Sequence, residues 1–305
     1  MLILAGPTGS GKSDLALELA TLWQAEIVSA DARQVYRGLD IGTAKPSLAQ
    51  QRLVPHHLLD ILNPDSRYSA ARFRLDATSA LEGIMRRGRR AIVVGGTGLY
   101  LKALREGLFD APETSPEVRE QVDEILNRGG RSSLVEYLAK FDPHTLASLD
   151  LLNQARLRRA VEYHLMTQES MALAREACPQ PDSAYSYYAV VLLRSRAELY
   201  ERIAVRTQDM LAAGWLEEVR ALTERWDISL PAFDAVGYRE LYDVINQRIS
   251  LEEAKSRITA RTRHYAKRQT TWFSHQGQWV WMSPDAGVTS KITSGLAAFA
   301  ENKSA

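Results

Sequence analysis

The sequence predicts an α/β protein in which helices flank a parallel sheet and an all-helical module is inserted into the chain. Short apolar segments that alternate with helical repeats and end in glycine-rich turns indicate the sheet. Between about residues 113 and 183 the sequence has apolar stripes at helical spacing and no strand-like segment, which indicates the insertion. We therefore expect a core formed by residues 1–113 and 184–305 and a helical module at residues 114–183.

The expected strands, in chain order, are residues 2–5, 26–30, 91–94, 188–193 and 278–282. Apolar residues at helical spacing lie between the first three strands and again after the fourth. A small polar tail follows the last strand and is expected to be frayed. In parallel α/β sheets, ligands bind outside the carboxyl ends of the strands. The loops that follow the first three strands should therefore meet at one edge of the sheet.

The composition is that of an ordinary globular chain, with 305 residues of which 45% are hydrophobic and 25% charged. This excludes disorder, collagen-like repeats and coiled coil as the main architecture. Lys and Arg number 38 against 37 Asp and Glu, a formal net charge of +1. Such a balance neither indicates nor excludes a nucleic-acid partner, because local clustering of charge matters more than the total.

The single cysteine, Cys178, allows no disulfide within the chain and no cysteine-based metal site, and we expect an inert thiol. It fits a reducing compartment, and we expect a cytoplasmic protein. No apolar run is long enough to span a bilayer, so no membrane association is expected. The first residues are typical of a strand and not of a signal peptide. No dedicated protein interface is evident, which favours a monomer.

Residues 6–13 match the phosphate-binding motif G-x-x-x-x-G-K-[ST] in full and lie between a predicted strand and a predicted helix. This segment is named the P-loop below, and it makes the predicted sheet a P-loop-type sheet. Its glycines let the backbone wrap around an anion, which backbone N–H groups and the helix N-terminus then favour. Lys12 adds a full charge, and the Ser13 hydroxyl can bind Mg²⁺. The motif indicates a polyphosphate or diphosphate without distinguishing them; an accidental glycine-rich turn is the alternative.

Two more polar residues follow strands at the same edge. Asp31 ends the second strand, where its carboxylate can accept a proton or orient a donor, or else cap a helix or turn. Thr97 lies in the glycine turn 95–98, where its hydroxyl can meet a substrate or phosphate, or else bond its own backbone. The third strand lacks the acid that ATP- and GTP-hydrolysing P-loop proteins carry for the metal. The pair His56 and His57 lacks companion ligands, so we expect no metal there.

Basic residues cluster in three places. The longest cluster has no acid between Ala254 and Phe273 and contains Lys255, Arg257, Arg261, Arg263, Lys267 and Arg268, interleaved with His264, Tyr265, Trp272 and Phe273. Cations for phosphates mixed with aromatic rings for stacking are typical of RNA binding, although a solvated charged helix is the alternative. The second cluster is Arg156, Arg158 and Arg159. The third, at residues 86–90, indicates a solvated helix end.

Seven segments together resemble the bacterial tRNA dimethylallyltransferases, a family also called tRNA isopentenyltransferases. They occur in the family's order across nearly the whole chain: residues 6–13 (GPTGSGKS), 29–36 (SADARQVY), 40–46 (DIGTAKP), 95–100 (GGTGLY), 156–162 (RLRRAVE), 237–240 (GYRE) and 262–272 (TRHYAKRQTTW). Apart from the P-loop each segment is weak evidence by itself, but the combination is highly specific.

The resemblance implies transfer of a dimethylallyl group from dimethylallyl diphosphate to N6 of the adenosine that adjoins the anticodon of tRNA on its 3′ side. Diphosphate would be released, and Mg²⁺ would assist. The P-loop would then bind an isoprenyl diphosphate and not ATP. The helical module would contact the anticodon stem-loop, and the target base would be flipped out of the loop.

The roles of individual residues follow from matching positions. Asp31 matches the family's general base, and Thr97 matches the hydroxyl aimed at the oxygen that bridges diphosphate and allyl group. The resemblance assigns diphosphate binding to Gly6, Thr8, Gly9, Ser10, Gly11, Lys12, Ser13 and Arg196, with Mg²⁺ on Ser13. It assigns tRNA contacts to Asp31, Ala32, Arg33, Gln34, Ala155, Arg156, Leu157, Arg158 and Arg159. We also expect tRNA contacts from Arg119 and from Arg263, Lys267 and Arg268.

Three positions depart from the family pattern: Ala32 stands for Ser, Ala155 for Gln and Gln168 for Gly. Other functions remain open. An adenylate (cytokinin-type) isopentenyltransferase shares the chemistry, but a mononucleotide needs neither the helical module nor the basic clusters. A P-loop small-molecule kinase would bind ATP well. A non-catalytic RNA-binding module would have no use for Lys12 and Asp31.

Overall fold

The predicted parallel sheet is confirmed by the computed structural model, which describes residues 1–109, 111–177 and 185–304. Its strands are β1 (Leu2–Ala5), β2 (Glu26–Ser29), β3 (His56–His57), β4 (Ala91–Gly95), β5 (Tyr188–Leu192) and β6 (Val280–Met282). All strand pairs are parallel, and the strand order is β3-β2-β4-β1-β5-β6. Strands β2, β4 and β1 are therefore neighbours. Cys178 lies outside the described residues.

Helices account for most of the remaining described residues. They are α1 (Lys12–Trp23), α2 (Leu48–Leu53), α3 (Ala70–Arg86), α4 (Gly98–Glu106), α5 (Pro116–Gly129), α6 (Arg131–Phe141), α7 (Pro143–Ser148), α8 (Gln154–Thr167), α9 (Met171–Ala177), α10 (Arg196–Ala212), α11 (Trp215–Thr223), α12 (Tyr238–Ile245), α13 (Leu251–His275) and α14 (Val288–Ser304), with a 3₁₀ turn at Pro231–Asp234. None of these helices is long and apolar enough to cross a membrane.

The central strands are apolar on both faces, and successive side chains enter different cores. Ile3 and Val93 face a cluster built around Phe73 and Leu81 of α3. Their neighbours along the strands face the opposite cluster, which α1 completes with residues such as Leu19. Burial of each such apolar side chain contributes roughly 1.5–3 kcal/mol to the free energy of folding. This two-sided burial explains why the strands read as apolar runs with no polar alternation.

The prediction that the chain after the last strand is frayed is wrong. The chain continues as α14, because Val288 and Ile292 lie one helical turn apart on one face and pack into the same core as α1. Both side chains are buried. The polar residues of the tail occupy the other faces of this helix, and this hid the apolar stripe in the sequence.

The described chain forms two compact units. The core unit comprises Met1–Glu106 and Ser183–Ala305 and holds the sheet. The helical unit is Gly107–Asp182, where α5 to α9 enclose an apolar cluster that includes Val122, Leu138 and Leu157. The sequence placed the module at residues 114–183.

Candidate active site

Three loops meet at the carboxyl edge of the sheet because their strands are neighbours. Ala5 of β1 pairs with Gly95 of β4, and the P-loop and Gly96 follow these two residues. On the other side, Ala30 donates its N–H to Val94 (2.7 Å) and accepts from Thr97 (3.4 Å). A Cβ at Gly95 would lie 2.1 Å from the Ala30 carbonyl oxygen, so only glycine allows this approach. Asp31 and Thr97 are thereby brought side by side.

The P-loop has the backbone that its glycines predict. Gly9 and Gly11 have φ of +83° and +93°, in the left-handed region that favours glycine. Lys12 is the first residue of α1, so the N-terminal N–H groups of that helix point toward the loop. These features give an anion-binding cradle. The buried Ser10 Oγ has no hydrogen-bond partner within the described chain, which leaves a polar atom for a ligand.

Lys12 lies among charged groups. Its ammonium donates to the Pro7 carbonyl oxygen at 3.4 Å. Burial and the positive charge of Arg206 lower the pKa of Lys12 to about 8, and the negative charge of Asp31 partly opposes this. The pKa of Arg206 is also lowered by burial, again against the attraction of Asp31. Half-buried cations close to one another favour an anion between them.

Three arginines beside the P-loop were missed by the sequence analysis. Arg194 donates to the Ser10 carbonyl oxygen at 3.1 Å, and Arg202 donates to the Gly9 carbonyl oxygen at 2.9 Å. Arg206 stands one turn after Arg202 on α10. The i, i+4 spacing of the last two was visible, but only the fold shows that α10 lies against the P-loop. Arg196, to which the resemblance assigns diphosphate binding, is exposed and stacks on Tyr200 at 5.1 Å.

Asp31 and Thr97 each use one atom to shape the site and keep another for a ligand. Asp31 Oδ1 accepts from the N–H groups of Arg33 (2.8 Å) and Gln34 (3.3 Å), while no described residue donates to Oδ2. Thr97 Oγ1 accepts from Ala32 N–H at 3.1 Å. Because that oxygen is the acceptor, the hydroxyl proton of Thr97 is available for another acceptor. The pair thus combines a proton acceptor with a proton donor.

Neighbours of Asp31 hold the backbone. The Arg33 guanidinium donates to the Pro231 and Ala232 carbonyl oxygens at 2.5 and 3.4 Å. Gln34 accepts from Ser29 Oγ at 3.0 Å and donates to carbonyl groups in residues 43–44. These side chains fix the Asp31 turn, and their contact with tRNA stays a prediction.

Aromatic side chains stand near Asp31. The pKa of Tyr265, on α13, is raised to about 12 by burial and then by the Asp31 charge, against the attraction of Arg33. Tyr100 stacks on Phe73 with ring centroids 4.6 Å apart. Asp31 also raises the pKa of Tyr100, although burial is the main cause. An apolar, aromatic wall beside a carboxylate suits a flat base or an isoprenyl chain.

The other predicted RNA residues fall into exposed and engaged groups. In the helical unit, Arg158 bonds Asp123 (2.6 Å) and Glu162 (2.9 Å). Arg159 bonds Thr114 Oγ1 at 2.6 Å, and Leu157 is buried. Ala155 and Arg156 are exposed, and Arg119 is half-buried. On α13, Lys267 and Arg268 are exposed. Arg268 lies over the Tyr265 ring at 5.7 Å, and Arg263 lies over the Tyr200 ring at 5.1 Å.

Comparisons with known proteins agree on one family. The model of the family described as IPP transferase matches residues 34–276. The tRNA dimethylallyltransferase 1 of Citrifermentans bemidjiense is 44% identical over 283 residues, which are 92% of this chain and 91% of that protein. The tRNA dimethylallyltransferase of Ralstonia nicotianae is 44% identical over 278 residues, 88% of this chain and 86% of its own.

Solved structures with the same fold are similarly named. A tRNA isopentenylpyrophosphate transferase from Staphylococcus epidermidis superposes with a TM-score of 0.70 at 34% identity, covering 97% of this chain and 98% of its own. A eukaryotic dimethylallyltransferase acting on tRNA superposes with a TM-score of 0.78 at 26% identity, covering 93% of this chain and 73% of its own.

Proposed function

The chain belongs to the IPP transferase family, and from that premise we propose that it transfers a dimethylallyl group to tRNA. The donor is dimethylallyl diphosphate, and the acceptor is N6 of the adenosine adjoining the anticodon on its 3′ side. The bond from the allylic carbon to the diphosphate oxygen breaks, and a carbon–nitrogen bond forms at N6. The observation that carries this proposal is the pairing of Asp31 and Thr97 beside the P-loop.

Asp31 Oδ2 accepts a hydrogen bond from the N6 amine and takes its proton as the new bond forms. An exocyclic adenine amine is a weak base and a weak acid, so positioning contributes more than proton abstraction. The N–H groups that bond Oδ1 keep the carboxylate in one orientation. The nearby aromatic wall of Tyr265 and Tyr100 excludes water and receives the flat and apolar parts of the two substrates.

Thr97 and the P-loop stabilise the leaving diphosphate. The Thr97 proton points to the oxygen that bridges the allylic carbon and the diphosphate. Lys12, the P-loop N–H groups and Arg206 meet the charge that builds on the other phosphate oxygens. Arg194 and Arg202 brace the loop from outside through the Ser10 and Gly9 carbonyl oxygens. A direct diphosphate contact by Arg196 remains part of the proposal.

The residues present fit a magnesium ion held together with the diphosphate. Ser13 is exposed at the second position of α1 and offers one hard oxygen donor. Magnesium typically takes one or two protein oxygens and completes its shell with phosphate oxygens and water. When bound there, the ion neutralises diphosphate charge.

Exposed cations favour tRNA as the acceptor. Lys267 and Arg268 of α13 and Arg156 of the helical unit face solvent and can pair with phosphate groups. Arg158 and Arg159 are held by carboxylates and a hydroxyl, so they shape the helical unit. A mononucleotide acceptor would need no such cations, which is why we favour RNA.

A transfer assay with labelled dimethylallyl diphosphate and Mg²⁺ tests the proposal. One reaction contains unmodified anticodon stem-loop RNA, a second contains the same stem-loop with guanosine at the target position, and a third contains adenosine monophosphate. We expect label only in the first reaction. Label on the mononucleotide would assign an adenylate isopentenyltransferase instead. Absence of label in all reactions, with tight ATP binding, would favour a kinase.

A further inference from the structure

One amide side chain joins two of the loops that form the site. Gln269 is buried in the C-terminal half of α13, between the apolar positions Ala266 and Phe273. Its Oε1 accepts from the Thr8 N–H of the P-loop at 2.9 Å. Its Nε2 donates to the Gly96 carbonyl oxygen at 2.9 Å. Both polar ends of the amide are therefore used, each on a different loop.

The link lies where the sheet no longer holds the loops together. The β1–β4 ladder ends at the pair Ala5 and Gly95. Gln269 adds a connection just beyond, one residue before Thr97. A Cβ at Gly96 would lie 2.2 Å from Gln269 Nε2, so the glycine at this position makes room for the amide.

Only an uncharged amide of this length satisfies both loops. A glutamate would accept from Thr8 but would turn a second acceptor toward the Gly96 carbonyl oxygen. A methionine would fill the space and leave the half-buried Thr8 N–H and the buried Gly96 C=O without partners. The chemistry of the position thus selects glutamine, although a buried helix stripe ordinarily favours an apolar residue.

We propose that Gln269 is a positioning residue that sets the distance between the diphosphate cradle and the Thr97 hydroxyl. This inference rests on the proposed transfer reaction, in which both groups act on one diphosphate. Because Gln269 occupies the Thr8 N–H, that amide does not face a phosphate. A contact of Thr8 with the diphosphate must then come from its hydroxyl.

Kinetics of Gln269→Met and Gln269→Glu test the inference, with Gln276→Met as the matched control. Gln276 ends the same helix, and its oxygen accepts from Lys102 instead. We expect kcat to fall about 10- to 100-fold in both Gln269 variants, because small misplacements of reacting groups are costly. The KM for the stem-loop and the Kd for inorganic diphosphate should stay within about threefold, since each loop keeps its own groups. The control should match the wild type.

If Gln269 contributed only to stability, its variants would have a lower Tm, and their kcat measured below that Tm would be unchanged. That result, or a kcat within about twofold of wild type in folded Gln269→Met, overturns the inference. If Gln269→Met does not fold, Gly96→Ala decides, because its methyl group displaces the amide from the other side; an unchanged kcat there overturns the inference as well. An inactive wild type would refute the proposed function, whereas an active wild type with unaffected variants refutes only the role of Gln269.

Discussion

Replacing Asp31 by asparagine isolates the proposed base. Asparagine keeps an oxygen that can accept from the Arg33 and Gln34 N–H groups, so the turn after β2 should persist. It places an NH₂ group where Oδ2 stood, and that group neither accepts a proton nor receives the amine of adenine. The lost hydrogen bond to a charged acceptor is worth about 1.5–3 kcal/mol, or roughly 10- to 150-fold. With the lost proton acceptor, kcat should fall about 10²- to 10⁴-fold.

The assay is single-turnover transfer to the anticodon stem-loop, with RNA binding measured separately by fluorescence anisotropy. RNA affinity should stay near wild type, because phosphate contacts carry most of it. Asp14→Asn is the matched control, since the charge of Asp14 also acts on Arg206. A rate constant for Asp31→Asn within about threefold of wild type would refute the assignment of Asp31 as the base. If both variants lost the same factor in rate constant, the loss would come from the changed electrostatic field at Arg206 and not from a missing base.

Three further predictions concern the leaving group and the RNA. Thr97→Val should lower kcat about 10²-fold with little change in RNA affinity, since it removes one donor to the leaving oxygen; Thr97→Ser should restore most of the rate, and an active valine variant would contradict the role. Arg206→Gln should weaken diphosphate binding, measured by calorimetry, more than Arg196→Gln does. The reverse order would favour Arg196 as the residue that binds the diphosphate. In the double variant Lys267→Gln, Arg268→Gln, the slope of log RNA affinity against log salt concentration should decrease by the equivalent of about two phosphate contacts. An unchanged slope would show that these residues of α13 do not contact the RNA.

The sheet and the loop residues of the site could be predicted because their signals are local. A strand, a glycine turn and a helix occur within the first 23 residues, and the P-loop motif needs that context and nothing else. Asp31 and Thr97 likewise follow strands that the sequence marks as apolar. The rule that parallel strands end at one edge places both residues at that edge. Their adjacency depends in addition on β2 and β4 being neighbours in the sheet, which only the structure shows.

The arginines around the P-loop could not be predicted, because they depend on packing between distant parts of the chain. Arg194 and Arg202 reach carbonyl groups that lie 184 and 193 residues earlier in the sequence. A single sequence carries no periodicity or spacing that records such contacts. Arg196, two residues from Arg194, carries the same charge but stacks on Tyr200. Charge and position along the chain therefore do not determine which arginine meets the loop.

The basic cluster in the helical unit shows the opposite case, in which the sequence held a usable signal. Glu162 stands four residues after Arg158 and three after Arg159, the spacings at which helix side chains pair. The structure has both ion pairs, at 2.9 and 3.6 Å. Arg156 lies on another face of α8 and is exposed. A cation with a carboxylate one turn away should therefore be expected to support the fold before it is expected to bind RNA.

The segment around Asp31 separates chemistry from support in the same way. The Arg33 and Gln34 side chains are committed to backbone carbonyl groups, and the Gln34 N–H joins that of Arg33 in holding Asp31 Oδ1. The carboxylate itself keeps Oδ2, to which no described residue donates. A reactive group must be held by neighbours that are themselves immobile, so most polar residues of such a motif serve as support. Gln269 extends this support from the opposite side of the site, through α13, and polar residues buried on helices that face a catalytic edge are where further positioning residues should be sought.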